Sequence, residues 1–305
     1  MLLRTSLVLA LLVSAANAQT RTIAEKLGYP KNAKLLILHA DDLGAAHSIN
    51  AASFEALDKG AISSASVMIP TPWISEVAAY ARAHPDADLG IHLVLTSEWD
   101  TYKWGSVAGR EKVPSLLDSA GIFATRETTV ADKAKPSEAE IELRAQLDRA
   151  RTLGIRVTHA DSHMRSLFTT VPLFDVYMKV ARDYRIPFMT SRNNTPREAI
   201  SKLRPTDPVM DVILGAGPDI PPDKWKQYYL DVIRDLKPGV SELIVHLGFD
   251  DAELKAVMVN QEPWGAAWRQ RDYDVVMSPE FRKALKDNNI ILVKWKDVYR
   301  AAQMR

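Results

Sequence analysis

Residues 35–44 read LLILHADDLG. The opening positions are those of a buried strand, and two aspartates then arrive side by side at its end. Like charges that close raise each other's cost of ionisation unless a cation or a proton partner lies between them. Asp41–Asp42 is therefore either a solvated turn or the start of a site, and the rest of the chain has to decide which.

Working outward, short β-branched runs recur at SASVMI (64–69), DLGIHLVLT (88–96), IRVTHA (155–160), IPFMTS (186–191), SELIVHLGF (241–249) and IILVKW (290–295). Segments with helical spacing lie between them. In 137–153, Leu143, Leu147, Ala150 and Leu153 form one stripe, Ser137 and Glu140 read as a capping box, and Gly154 reads as a C-terminal stop. A second helix is expected over 172–185, with Leu173, Val176, Val180 and Tyr184 in register. A third is expected to begin at Ser278-Pro279-Glu280, with an N-cap serine and proline at the first helical position. Strands alternating with helices predict an α/β fold with parallel strands and right-handed crossovers. Residues 97–136 and 193–240, rich in Trp, Pro, Gly and charge, read as extended loops on one face.

The first eighteen residues, MLLRTSLVLALLVSAANA, have one arginine, a short apolar run and a small-residue end. That is the layout of a secretory signal peptide. The expectation is export, to the periplasm ahead of the medium, with one domain over 19–305. Without Arg4 the 39 basic residues become 38, which balance the 38 acidic ones. A neutral chain with no basic block gives no support for nucleic acid or membrane as a partner, and a homodimer is compatible with it. The absence of cysteine excludes thiolate metal sites and thiol nucleophiles.

Histidine is unevenly placed. His39, His92, His159 and His246 fall in the strand runs and His163 follows one, whereas His47 and His84 lie outside them. In a parallel α/β fold the C-terminal ends of all strands gather on one face, where ligands bind. Asp41, Asp42, His92, His163 and His246 should converge there. Two neutral imidazoles and one carboxylate with open positions form a common catalytic metal set. Taken singly the signals are weak, because a lone histidine at a strand end is more often packed or solvated than a ligand. His39 and His47 are read as packing or solvent-facing, His84 as exposed, and Asp161 as a turn former.

The ordered motifs HADDLG (39–44), DLGIHLVLT (88–96), THADSH (158–163) and ELIVH (242–246) resemble those of the YdjC-like carbohydrate deacetylases, over about 36–300. The resemblance implies a distorted (β/α) barrel of roughly seven parallel strands, TIM-like. It implies removal of acetyl groups from N-acetylated sugars with a divalent ion, magnesium or zinc. Asp42, His92 and His163 would be the metal ligands, Asp41 the general base and His246 the general acid. The chain departs from the family pattern at Leu43, in place of an aromatic, at DSHMRS, which lacks the later histidines of DSHxHxH, and at Leu247, in place of proline.

Aromatic faces stack on pyranose rings, and Trp99, Tyr102, Trp104, Trp264 and Trp268 stand in loops expected at the catalytic face. Trp99, Trp104 and Trp264, with Arg192 and Arg271, are the expected sugar contacts; each tryptophan could equally pack its loop down. Two other classes fit parts of the pattern. One is a sugar-binding protein that keeps the barrel without turnover. The other is a non-haem iron enzyme, which also uses two histidines and a carboxylate but usually on a double-stranded β-helix.

Overall fold

The computed structural model describes residues 21–192 and 194–304. The expected signal peptide, 1–18, lies outside the described residues. Seven parallel strands form one curled sheet: β1 (Lys34–Leu43), β2 (Ser64–Val67), β3 (Leu89–Leu93), β4 (Ala160–Ser162), β5 (Val212–Gly215), β6 (Gly239–Val245) and β7 (Ile290–Leu292). Their order is β4-β3-β2-β1-β6-β5, with β7 pairing the start of β1. Single bridges from Ala160 to Phe188 and from Ser191 to Met210 carry the curl past β4 toward the chain entering β5. The distorted α/β barrel expected from the motifs is the fold observed.

Alternation along the strands gives the barrel two faces. On β1, Leu36, Leu38, Ala40 and Leu43 pack with Ala65, Val67, Ile91 and Leu93 of the neighbouring strands and with the helices outside. Leu35 and Ile37 join Val240, Met189, Met210 and Trp295 in a smaller cluster within the curl. Parallel strands covered on both faces usually read as continuous apolar runs. Here the inward positions further along are polar: His39, Ser64, Ser66, His92, Asp161 and Glu242 are all buried. Gly90 belongs to this set, because a Cβ there would overlap the ring of His159.

Several boundaries differ from expectation. The helix Pro136–Thr152 is capped at Lys135, with Pro136 in its first turn, so Ser137 is already helical and forms no capping box. Proline's fixed φ and missing N–H suit that first turn, which displaces the cap upstream. Gly154 follows this helix at φ +81° and ends it as expected. Val171–Tyr184 and Pro279–Asp287 form as expected, the latter with Ser278 accepting from the Phe281 N–H. The run 155–160 pairs as a strand only from Ala160, and 186–191 makes only single bridges. The interval 193–240 is more than loop, since it contains β5 and the helix Trp225–Asp235. No described helix is long and apolar enough to cross a membrane.

Candidate active site

Alternation alone would send Asp41 inward and Asp42 outward. β1 avoids this with an irregularity: His39 and Ala40 pair with Ser64 and Ala65, but Leu43 pairs with Val67, so one extra residue is inserted. Asp42 takes φ 71°, in the left-handed region that aspartate tolerates better than most residues. The insertion turns both carboxylates into the barrel mouth and returns Leu43 to the outer core.

Three sequence-distant atoms meet there. Asp42 Oδ1 lies 3.4 Å from His92 Nε2 and 3.3 Å from His163 Nδ1, and the two nitrogens are 3.2 Å apart. Ligand atoms about 2.0–2.1 Å from a zinc ion at tetrahedral angles stand about 3.3 Å from one another. Asp42 Oδ1 is buried with no hydrogen-bond partner among the described residues. An orphaned carboxylate oxygen facing two imidazole nitrogens fits a divalent cation. Burial would raise the Asp42 carboxyl, but the Arg269 guanidinium and the two imidazoles hold it well below the usual range. Without a cation, burial opposes charge on His163, yet Glu98 and Asp42 push it up to about 9. Protons therefore compete for this site.

Each ligand is oriented from behind. His92 Nδ1 lies 2.6 Å from Asp161 Oδ1, which leaves Nε2 to face the triangle. His163 Nε2 lies 2.9 Å from Glu98 Oε2. Asp42 Oδ2 accepts from Arg269 Nη2 at 2.7 Å. Such partners fix tautomer and ring direction at metal centres. Asp41 stands beside the triangle: its Oδ2 is 3.9 Å from His92 Nε2 and 3.7 Å from His246 Nε2. The helix Ala266–Met277 serves both sides of the site. Arg269 reaches Asp42, while Asp272 Oδ2 accepts from the backbone N–H of His246 at 2.8 Å. Gly248 permits this approach, because a Cβ there would crowd Arg269 and Leu254.

The expected sugar contacts divide. Trp99 and Trp104 are 2% and 4% exposed, so their faces are not open to a ring. Trp99 lies under the Arg269 guanidinium, and Trp104 packs edge-on to His163. Trp268 is also buried, whereas Trp264 is 45% exposed and packed on Trp268. Arg271 lies over the ring of Trp225, and Arg192 is exposed beside Asp211. Asp161, Glu98 and Arg269 were not among the expected site residues. Arg269 was legible in principle: Trp268, Arg269, Asp272 and Val276 fall on one helical face, which puts an arginine and an aspartate in a buried stripe.

Comparison with known proteins bears on this geometry. The model of the YdjC-like protein family matches residues 35–287. A carbohydrate deacetylase of Thermus thermophilus is 31% identical over 275 residues, covering 87% of this chain and 94% of that protein. One of Brevibacillus brevis is 36% identical over 270 residues, covering 86% and 99%. A crystal structure of an Enterococcus faecalis protein superposes with a TM-score of 0.73. It is 25% identical and covers 87% of this chain and 99% of that one.

Proposed function

We propose, from the premise that this chain belongs to the YdjC-like family, that it is a metal-dependent carbohydrate deacetylase acting on acetylated sugars. The observation that carries the metal-dependent reading is the triangle of Asp42 Oδ1, His92 Nε2 and His163 Nδ1 with its orphaned oxygen. The relatives named carbohydrate deacetylases support the reaction class. Two imidazoles favour zinc, since magnesium prefers an all-oxygen shell. A divalent ion held there supplies Lewis-acid polarisation of the acetyl carbonyl and lowers the pKa of water.

The chain's own residues supply the proton transfers. Asp41 Oδ2, beside the triangle and outside it, takes the proton of the attacking water as the new C–O bond forms. As the C–N bond breaks, His246 gives its proton to the departing amine nitrogen, so acetate and the free amino sugar leave. The Arg269 contact occupies Asp42 Oδ2 and leaves Oδ1 as the single oxygen aimed at the site. Trp264, exposed at the loop before the helix Ala266–Met277, offers a face for a pyranose ring. The same reading takes 1–18 as an export signal and 19–305 as one barrel domain that works in the periplasm.

The test is acetate release from a panel of N- and O-acetylated sugars, with and without chelator. Chelator-sensitive release is expected, restored by added zinc. Tight sugar binding with no acetate from any substrate would sink the deacetylase reading and leave a sugar-binding protein. Turnover that required iron and dioxygen would point to the non-haem iron class.

A further inference from the structure

His39 is fully buried, yet every polar edge of its ring is engaged. Nε2 lies 3.0 Å from Asp161 Oδ2 and 3.1 Å from Asp41 Oδ1. Ser66 Oγ, also 3.1 Å from Nε2, donates to Asp41 Oδ1 at 3.3 Å. Nδ1 lies 3.0 Å from Ser64 Oγ, whose own hydroxyl is directed at the carbonyl of Asp88 at 3.4 Å. That leaves Ser64 Oγ as an acceptor for Nδ1–H. Acceptors therefore face both ring nitrogens, and a doubly protonated imidazole satisfies both sides at once.

We propose that His39 is a positioning residue whose single Nε2–H, shared by Asp41 and Asp161, yokes the base carboxylate to the carboxylate that aims His92. Asp161 holds His39 with one oxygen and His92 Nδ1 with the other, so the chain Asp41–His39–Asp161–His92 is continuous. Two buried carboxylates that converge on one N–H repel each other unless a cation or a shared proton donor lies between them. Burial works against charge on His39, but the hydrogen bonds to Asp161 and Asp41 prevail and push it up to about 10. The groups facing it are Asp41 from its own strand, Asp161 from β4 and Glu242 from β6, 4.0 Å from Nδ1. The hydroxyls of Ser64 and Ser66 on β2 and the ring of His159, edge-on at 5.1 Å, complete the shell. His159 is itself held neutral by burial and by the charge on His39. The term "base" rests on the deacetylase reading; the yoke itself rests on the hydrogen bonds.

The experiment combines histidine ¹⁵N NMR on the zinc-loaded full chain with a variant series. His39 is expected to be protonated on both nitrogens at pH 7; a His39 with no proton on Nε2 would overturn the proposal. His39→Leu is expected to lower kcat about a hundredfold with KM nearly unchanged, and to weaken zinc binding, measured without sugar, by about tenfold or more. His39→Gln places an amide N–H near the position of Nε2 and should restore most of both losses. In an Asp41→Asn background, His39→Leu should cost no further kcat, because units acting together are not additive. Equal losses in the Gln and Leu variants, or a full additional loss beside Asp41→Asn, would reduce His39 to a packed core residue. If His39→Leu does not fold, the Gln variant and the NMR signal decide. If wild type releases no acetate from any sugar, the deacetylase reading fails separately, while the NMR and zinc titration still decide the yoke.

Discussion

At the scale of single residues, the site depends on where charge is buried and what faces it. Asp41 and Asp42 are neighbours in sequence but differ in surroundings: Asp41 Oδ1 meets His39 and Ser66, whereas Asp42 Oδ1, among the described residues, faces two imidazole nitrogens. The adjacency of the two aspartates could be read from HADDLG, but the left-handed backbone that turns Asp42 inward could not. Such a conformation is chosen by the whole barrel mouth and leaves no mark on side-chain alternation. Glu242 gives a prediction at this scale. It is fully buried, Trp295 Nε1 donates to one of its oxygens at 2.8 Å, and the other oxygen has no described partner. Burial, only partly offset by His39 and Trp295, raises its carboxyl to about 7. The unfolded chain gives up this proton near pH 4.5, but the folded chain keeps it until about 7. Stability is therefore lost as pH rises through that window, by roughly 3 kcal/mol at one pKa unit per ~1.4 kcal/mol. Glu242→Gln is expected to gain stability relative to wild type on going from pH 4.5 to pH 8, read from urea midpoints at both pH values. An unchanged difference would mean that Glu242 titrates in the folded chain as it does in the unfolded one.

At the scale of elements, the inward polar positions were the part of the fold least visible in advance. HADDLG, GIHL and THADSH identified strand ends, but Ser64, Ser66 and Gly90 read as ordinary strand residues until the curl brought them around His39 and His159. β5 carries little strand signal, because three of its four residues are only partly buried, Gly215 is exposed, and the run shows no alternation. The expected capping serine yielded to a proline one residue earlier, a local rule overridden by a stronger one. Gly90 tests the packing of this layer. Gly90→Ala would drive a methyl into the His159 ring, which is sandwiched against Trp295 at 5.3 Å and cannot retreat easily. The expected loss is about 1–3 kcal/mol, typical of overpacking a closed core. A melting temperature within a degree of wild type would show that His159 can move aside. The helix Ala266–Met277 makes a second case. Arg269→Met removes the buried partner of Asp42 and should destabilise the protein by roughly 3–5 kcal/mol in its metal-free form. Added zinc should recover part of that loss, since a cation replaces the missing charge; no recovery would place the ion elsewhere.

At the scale of the whole molecule, four strands and one helix deliver to one mouth groups that are scattered from Asp41 to Asp272. β1 brings both aspartates, β3 His92, β4 Asp161 with His163 just beyond, and β6 runs directly into His246. This convergence was legible because parallel topology dictates it. The residues behind the ligands were not, because their partners lie up to 227 positions away in the chain. If 1–18 is an export signal, the intact mass of protein recovered from the periplasm should correspond to a chain beginning at Gln19. A mass that retains Met1 would contradict export by cleavage. The central claim is that the two adjacent aspartates divide the work of one metal site. Its most direct test is zinc content and acetate release measured together on Asp41→Asn and Asp42→Asn. Asp41→Asn should hold zinc near the wild-type level and lose turnover by about a hundred- to ten-thousandfold, and Asp42→Asn should lose the zinc itself. Loss of zinc from Asp41→Asn with retention in Asp42→Asn would contradict the account.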